Sequence, residues 1–228
     1  TIGQGAFSGC SALEHVDDLY SLTRLEYDVF SHCVSLISVD CSDKLTAIGS
    51  SAFFGCKALV SIGDLSNVTS IESSVFRGCI ALKSIGNMPK LESIGMQCFM
   101  GCTALETVGD LSSLKEIPSE TFDGCTSLVS IGDLSNVTII GSYGFNQCKK
   151  LTSIPNLGSL ERVDQFAFSG CESLALLGNL RKLTSFGNSP FVNSPFHNCP
   201  NLVLEVLPDS AAEQYAKNYS MRYTYITE

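Results

Sequence analysis

The sequence predicts a solenoid of stacked coils built mainly from β-structure, and three regularities predict it. A phenylalanine recurs every 23 residues in eight copies, at Phe7, Phe30, Phe53, Phe76, Phe99, Phe122, Phe145 and Phe168. A cysteine follows each phenylalanine by three residues, and a leucine follows each cysteine by three more. This apolar spacing of three fits neither the period of a strand nor that of a helix, so each copy must bend several times. Such a coil can bury its apolar columns only against a neighbouring coil.

Glycine, aspartate and asparagine mark the bends of each coil. The position two after the phenylalanine is glycine in six copies, which indicates a backbone at positive φ, with His32, Gln147 and Asn198 as exceptions. A second turn column reads Asp18, Cys41, Asp64, Asn87, Asp110, Asp133, Asn156 and Asn179. Because Asp and Asn bond their own backbone in turns, this column favours turn formation over a calcium ladder.

The pattern is interrupted once, after the eighth copy. Phe191 falls on the period, but the motif resumes five residues late at Phe196 and Cys199. We expect a ninth repeat with a five-residue insertion near 191–196, which would bulge from the solenoid as a loop. The nine repeats would then occupy residues 1–202.

The remaining residues, 203–228, are predicted to form a C-terminal cap that covers the last coil. Residues 203–207 read as a strand, 211–219 as a short helix with Tyr215 on its inner side, and 221–226 as a final strand. Such a cap protects apolar columns and strand edges from water. The whole is predicted to be a single domain, and the absence of an equivalent cap before Ile2 suggests a fragment of a longer chain.

The repeat resembles the BspA-like leucine-rich repeats. The diagnostic core A-F-x-G-C-x-x-L stands at residues 6–13, 52–59 and 167–174, and looser versions fill the other copies. The ending LEVLPDSAAEQYAKNY is similar to the strand, proline and short helix that follow the last repeat in that family. The resemblance implies a right-handed curved β-solenoid in surface or secreted proteins of host-associated bacteria and some protozoa. There such repeats mediate adhesion to host proteins or other cells, and no catalytic residues are implied.

Charge and hydropathy exclude two classes of partner. The chain has 14 Lys and Arg against 23 Asp and Glu, a net charge of −9, so nucleic acid is disfavoured along most of its surface. No run approaches the roughly 20 apolar residues of a membrane helix, so this segment is not expected to insert into a membrane. The resemblance implies an extracellular or cell-surface location, with any signal or anchor outside this segment.

Nine of the eleven cysteines form one column, which we interpret as a structural ladder of reduced thiols: Cys10, Cys33, Cys56, Cys79, Cys102, Cys125, Cys148, Cys171 and Cys199. Stacked thiols point in parallel, so a disulfide would require them to turn towards each other, although the spacing of the coils permits one. A weak S–H donor can instead reach a backbone carbonyl. Cys98 is predicted to lie in the core. Cys41, in the exposed column of Asp and Asn, is the candidate reactive or intermolecular thiol, although a tolerated surface cysteine is the favoured interpretation.

The sequence predicts no enzyme, no metal site and no cofactor. The three histidines, His15, His32 and His197, form no Ser/His/Asp or Cys/His grouping, and no phosphate-binding glycine motif occurs. No cysteine pair has the short spacing and further ligands that zinc needs.

Variable positions on the fixed frame indicate where a partner would bind. The residue directly after the strand leucine changes from copy to copy, and its candidates are Ile37, Val60, Lys83, Glu106, Val129 and Thr152. We expect a non-enzymatic adhesion module that binds a host extracellular or surface protein through this sheet face, with the inserted loop as a rival site. A stiff spacer that presents other domains is the alternative. Glycan binding is a third reading, weakened by the absence of Trp although the chain has seven Tyr.

Overall fold

The computed structural model describes residues 2–187 and 194–227 as a β-solenoid of about nine turns. We number the coils from 1, which contains Phe7, to 9, which contains Phe196. The strands of the coils are, in chain order, β1 (His15–Leu19), β2 (Arg24–Leu25), β3 (Ser38–Cys41), β4 (Ala47–Ile48), β5 (Ser61–Ile62), β6 (Ser70–Ile71), β7 (Ser84–Ile85), β8 (Ser93–Ile94), β9 (Thr107–Val108), β10 (Glu116–Ile117), β11 (Ser130–Ile131), β12 (Ile139–Ile140), β13 (Ser153–Ile154), β14 (Arg162–Val163), β15 (Leu176–Leu177) and β16 (Ser185–Phe186). The predicted solenoid fold is confirmed.

The strands stack in parallel on two faces. Among β1 to β16, the odd-numbered strands form the first sheet face and the even-numbered strands the second. Paired residues are equivalents 23 positions apart, as Val39 and Ile62 are, except that Leu19 pairs with Cys41 at an irregularity. The second face consists of two four-stranded sheets, β2-β4-β6-β8 and β10-β12-β14-β16. Because partners are equivalent positions of successive copies, the period in the sequence itself fixes the register.

Strand pairing on the first face is interrupted twice within the described residues. The sheets there are β1-β3-β5 and β7-β9-β11, followed by one that begins with β13 and β15. Each interruption follows one of two nearly identical segments, 59–71 and 128–140. At the second, Pro155 stands where Gly132 and Gly178 donate an N–H to the preceding coil. A proline has no N–H to donate, so the ladder stops there.

The core is a stack of phenylalanine rings. Consecutive rings from Phe7 to Phe168 lie with centroids 5.2–5.5 Å apart in near-parallel planes, and Phe196 continues the stack at 5.9 Å. The rings from Phe30 to Phe168 are fully buried. Burial of each ring contributes about 1.5–3 kcal/mol, and offset stacking adds to it.

Two columns of residues in the left-handed region bend each coil. The predicted column, two after the phenylalanine, has positive φ in all nine coils, including the exceptions His32, Gln147 and Asn198. A second column, two before the phenylalanine, has φ of 55–62° and holds Gly5, Asp28, Ser51, Ser74, Gln97, Glu120, Tyr143 and Phe166. This second column could not be recognised from the sequence, because only its first member is glycine.

The C-terminal cap has the predicted order of strand, helix and strand. Strand β17 (Val203–Val206) pairs in parallel with β15 and with β18 (Arg222–Tyr225), and helix α1 (Ala211–Asn218) lies between them in sequence. The Ser210 hydroxyl accepts the N–H of Glu213 and so begins the helix. Tyr215 is buried and stacks on Phe186 with ring centroids 4.0 Å apart.

The inserted loop, predicted near 191–196, lies largely outside the described residues. After it the chain rejoins the stack, since the Cys199 thiol donates to the carbonyl of Phe168 at 2.9 Å as its equivalents do elsewhere. The division into nine repeats at 1–202 and a cap at 203–228 stays a prediction about domain organisation. Within the described part of the chain, no helix has the length and hydropathy needed to span a membrane.

Candidate interaction surface

The six predicted partner-binding residues lie side by side on the first sheet face. Ile37, Val60, Lys83, Glu106, Val129 and Thr152 are all exposed, one in each of coils 2 to 7, and we call this row the exposed stripe. Each donates its N–H to the carbonyl of the residue 23 earlier, as Val60 does to Ile37 at 2.9 Å and Glu106 to Lys83 at 2.8 Å. Successive side chains of the stripe therefore stand about 4.8 Å apart, the spacing of paired strands.

The backbone and the core hold the stripe rigidly. The leucine before each stripe residue is buried, from Leu36 in coil 2 to Leu151 in coil 7. The residue after each is a serine or threonine, so a row of hydroxyls borders the stripe along its length. The apolar members are well exposed, with 38% of Ile37, 36% of Val60 and 41% of Val129 accessible. The stripe thus offers separate apolar contacts on a polar face, a composition that protein interfaces use.

A second column, which sequence reasoning missed, runs beside the stripe and is exposed except at Thr126, which is half-buried. It occupies the first corner of the turn that leads into each strand of the first face, a turn closed in coil 2 by the N–H of Leu36 and the carbonyl of Cys33. We call it the turn column, and its members in coils 2 to 8 are Val34, Lys57, Ile80, Thr103, Thr126, Lys149 and Glu172. Its variation from copy to copy was the available signal, because stripe residues vary in the same way.

On the second sheet face, two arginines are paired with neighbouring carboxylates, and Arg24 is the clearer example. Arg24 contacts Glu26 at 3.3 Å and Glu72, two coils away, at 2.6 Å. In the coil between them, Gly49 occupies the position equivalent to Glu26 and Glu72. The Glu72 carboxylate also accepts hydrogen bonds from the N–H and hydroxyl of Ser50. The Arg24 guanidinium holds the pKa of Glu72 below its ordinary value.

The cysteine column is bonded to the backbone of neighbouring coils. Each thiol from Cys33 to Cys171 donates to the carbonyl of the phenylalanine in the preceding coil, at 3.0 Å for Cys33 and 3.3 Å for Cys148. Burial raises the pKa of Cys56 and of Cys102 to about 12. The donated thiol hydrogen fits the reduced ladder, whose oxidation state stays a prediction.

Cys98 and Cys41, the two cysteines outside the column, differ in their burial. Cys98 is fully buried, as predicted. Cys41 is not fully exposed as expected but lies half-buried at the end of β3, where desolvation together with the Asp40 charge raises its pKa to about 12 and disfavours a reactive thiol. Thiolate is scarce at neutral pH under those conditions. Cys10 is the most exposed thiol of the described chain.

At the other end of the column, Cys199 is half-buried beside Cys171. The interaction between the two thiols lowers the pKa of Cys199 and raises that of Cys171.

The column of Asp and Asn residues forms turns, and the histidines lie apart from it; the described residues bring the two together at no metal or catalytic site. Asp64, Asp110 and Asp133 each accept the N–H of the serine two residues later, at 2.8, 2.9 and 2.9 Å, as the turn interpretation expects. His15 bonds the Ser38 hydroxyl, whereas His32 contacts the edge of the Phe54 ring. Between residues 2 and 227, leaving out 188–193, no group of three or more His, Cys, Asp or Glu side chains could hold a metal ion.

Comparison with known proteins gives one family and several similar structures. The family model described as "BspA type Leucine rich repeat region" matches residues 1–106 and 92–213, in six copies. The chain is similar to a leucine-rich repeat protein from T. pallidum, with 24% identity, a TM-score of 0.59, and coverage of 95% of this chain and 87% of that one.

Two further solved structures extend the comparison. A leucine-rich repeat protein from Eubacterium ventriosum has 20% identity and a TM-score of 0.60 over 78% of this chain and 63% of that one. Another, from Bacteroides ovatus, has 20% identity and a TM-score of 0.48 over 99% and 87%. No curated protein sequence gives a significant match. At these identities, the likeness to the T. pallidum and Eubacterium structures concerns the fold.

Proposed function

Because this chain belongs to the BspA-type leucine-rich repeat family, we propose that it is a non-enzymatic protein-interaction module that acts in adhesion at a cell surface or after secretion. Its partner is a protein of a host surface, of the extracellular matrix or of a neighbouring cell. The partner docks on the exposed stripe of the first sheet face.

One observation carries this proposal: the stripe varies in sequence while everything beneath it is constant. The buried positions repeat as phenylalanine, cysteine and leucine, whereas the stripe changes between isoleucine, valine, lysine, glutamate and threonine. Stacking of the coils places no demand on an exposed side chain, so these residues are free to match a partner. On the second face, by contrast, Arg24 and Arg162 are paired with neighbouring carboxylates.

The competing function is a stiff spacer that binds nothing itself. The unbroken stack of phenylalanine rings favours it, because a stack with one continuous core resists bending. A spacer needs no particular surface chemistry, so the two functions differ in how substitutions on the stripe act.

The test is a pull-down from host-surface and extracellular-matrix extracts, read by mass spectrometry. The purified protein is compared with the double variant Val60→Asp/Val129→Asp, and with Ser93→Asp/Met96→Asp as the matched control. The control adds the same two charges at exposed positions of strand β8 and the turn after it. Thermal unfolding by circular dichroism verifies that both variants fold.

We expect a partner that the parent and the control retain and the stripe variant loses. A partner retained equally by all three proteins contradicts the stripe as its site. No enriched partner from several extracts favours the spacer.

A further inference from the structure

Coils 2 to 4 present a local surface whose chemistry differs from that of the rest of the chain. The exposed stripe and the turn column contribute two residues per coil there, and none of the six is acidic. We call this group the basic–apolar patch, and its members are Val34, Ile37, Lys57, Val60, Ile80 and Lys83. A patch without a carboxylate is notable in a chain that has 23 acidic and 14 basic residues.

Backbone hydrogen bonds hold the members of the patch next to one another. Val60 donates to Ile37 at 2.9 Å, and Lys83 donates to Val60 at 3.3 Å. In the turn column, Ala58, the neighbour of Lys57, donates to the carbonyl of Val34 at 3.2 Å. Three stacked coils span about 10 Å at strand spacing, so the six side chains form one compact surface.

The apolar members of the patch are open to solvent. The exposed fraction is 38% for Val34 and for Ile37, 36% for Val60 and 47% for Ile80. Four such side chains lie in three adjacent coils, whereas coils 5 to 8 contribute Val129 as the large exposed apolar side chain of the same two columns. Clustered exposed apolar residues mark interaction sites more than isolated ones do.

The lysines of the patch have no carboxylate partner in the part of the chain that the structure describes. Lys57 and Lys83 are exposed, and neither forms an ion pair there. Lys149, the next lysine of the turn column, is in contrast bonded to Glu172 at 3.1 Å. Arg77 adds a third cation at the adjoining turn, where Gln97 accepts its N–H at 2.8 Å and the Phe54 ring lies below it.

Acidic residues return at both borders of the patch. In the stripe, Glu14 stands one coil before Ile37 and Glu106 one coil after Lys83. The patch is therefore a group of lysine and apolar side chains, without a carboxylate among its members, on the surface of a protein of net negative charge. A partner with negative charges would be attracted here and repelled by most of the remaining surface, which gives both location and orientation.

We propose that the basic–apolar patch docks an extended protein segment in which acidic residues alternate with apolar ones. This inference rests on the proposed function and names the chemistry of the partner. The carboxylates of the segment meet Lys57 and Lys83, while its apolar side chains cover Ile37, Val60 and their neighbours. Long lysine side chains can adjust to the spacing of the carboxylates while their stems cover apolar surface.

Two other anionic partners fit the patch less well. Anionic membranes are recognised by clusters of about four to eight basic residues, and this patch with Arg77 has three. A nucleic acid carries phosphates along its whole length, so the net charge of −9 would oppose its approach over the flanking coils. A short acidic segment needs only the three coils of the patch.

The experiment begins with selection from a random 12-residue peptide library displayed on phage, against the whole purified protein. Enriched peptides are then synthesised, and their binding is measured by fluorescence polarisation in low and high salt. The test variants are Lys57→Glu/Lys83→Glu and Val60→Asp. The matched controls are Lys44→Glu/Lys115→Glu, which makes the same charge change at exposed lysines outside the patch, and Val129→Asp, which makes the same substitution within the duplicated local sequence.

We expect the enriched peptides to carry Asp or Glu interleaved with Val, Leu or Phe. Their affinity should fall about tenfold or more in Lys57→Glu/Lys83→Glu and in Val60→Asp, should change less than about threefold in both controls, and should weaken in high salt. Vesicles containing phosphatidylserine serve as a parallel probe.

Three results would overturn the inference. Enriched peptides could be neutral or basic, their binding could be indifferent to the two patch variants, or the vesicles could bind in a lysine-dependent manner while no peptide does. The proposed function is judged separately by the pull-down. If a partner is lost in Val60→Asp/Val129→Asp but not in Lys57→Glu/Lys83→Glu, the proposed function as an interaction module stands. The proposal of an acidic segment is then wrong.

Discussion

Replacing a phenylalanine in the middle of the ring stack is the most direct perturbation of this fold. Phe99 is fully buried, with the rings of Phe76 and Phe122 at 5.2 and 5.3 Å on its two sides. Truncation of a buried phenylalanine to alanine costs about 3–5 kcal/mol through lost burial and the cavity that remains. Two stacking contacts are lost together, so we place Phe99→Ala near the upper end, at about 4–5 kcal/mol.

Phe7 provides the matched control, because it has the same sequence context and a different environment. It is 36% exposed and has one stacked neighbour, Phe30 at 5.4 Å. Phe7→Ala should therefore cost about 1–2 kcal/mol. The assay is urea unfolding followed by far-ultraviolet circular dichroism, with the midpoint shift converted through a shared m-value. Equal shifts for the two variants would refute the argument that full burial between two stacked rings makes Phe99 the costlier position.

Three further predictions concern the turns, the cap and the thiols. Gly132→Ala should destabilise the protein by about 1–3 kcal/mol, because the new Cβ would collide with the carbonyl oxygen of Gly109, whereas Gly86→Ala in the same column meets open space and should be nearly neutral in urea melts. The Glu213 carboxylate accepts bonds from Lys217 and Tyr225, which lower its pKa from 4.5 to about 2, so its stabilising contribution is present above pH 4.5 and is lost as the pH falls towards 2. In Glu213→Gln, the free energy of unfolding should lack this loss between pH 4.5 and pH 2. The same acid dependence in the variant and the parent protein would contradict the prediction. All eleven cysteines should react with a thiol reagent in denaturant without reductant, whereas eight or ten oxidised thiols would contradict the reduced ladder.

The period of the sequence was sufficient to predict the fold and the core, and the local patterns after the last repeat predicted the cap. A fixed repeat of 23 residues can bury its apolar columns only by stacking equivalent positions, so Phe30, Cys33 and Leu36 had to lie beside Phe53, Cys56 and Leu59. The glycines two after the phenylalanine correctly predicted positive φ, because they report a backbone requirement directly.

Some backbone bends could not be predicted because neighbouring coils impose them. Asp28 and Tyr143 adopt left-handed conformations although neither is glycine, and each donates its N–H to a carbonyl of the following coil, Ser50 and Gln165 respectively. The gain of an inter-coil hydrogen bond offsets the local cost of a positive φ. No pattern within one repeat carries that information.

The same limit explains why the burial of Cys41 and the turn column were not predicted. Cys41 occupies a turn position in the sequence, but its burial depends on the approach of Gly63 in the next coil, whose Cβ-free backbone lies against it. Val34 and Ile80 read as ordinary members of an apolar-rich repeat, and only the stacked coils place them beside Ile37, Val60 and Lys83.

The sequence by itself therefore determined the repeat, the buried columns, the parallel register and the row of variable residues, because each follows from one period that must be satisfied within every coil. The tertiary structure decided which exposed residues share a surface, which thiols are shielded from water, where the sheet is interrupted and which lysines lack a carboxylate. Those properties depend on contacts between residues about 23 or more positions apart, and such contacts exist only after the coils have stacked.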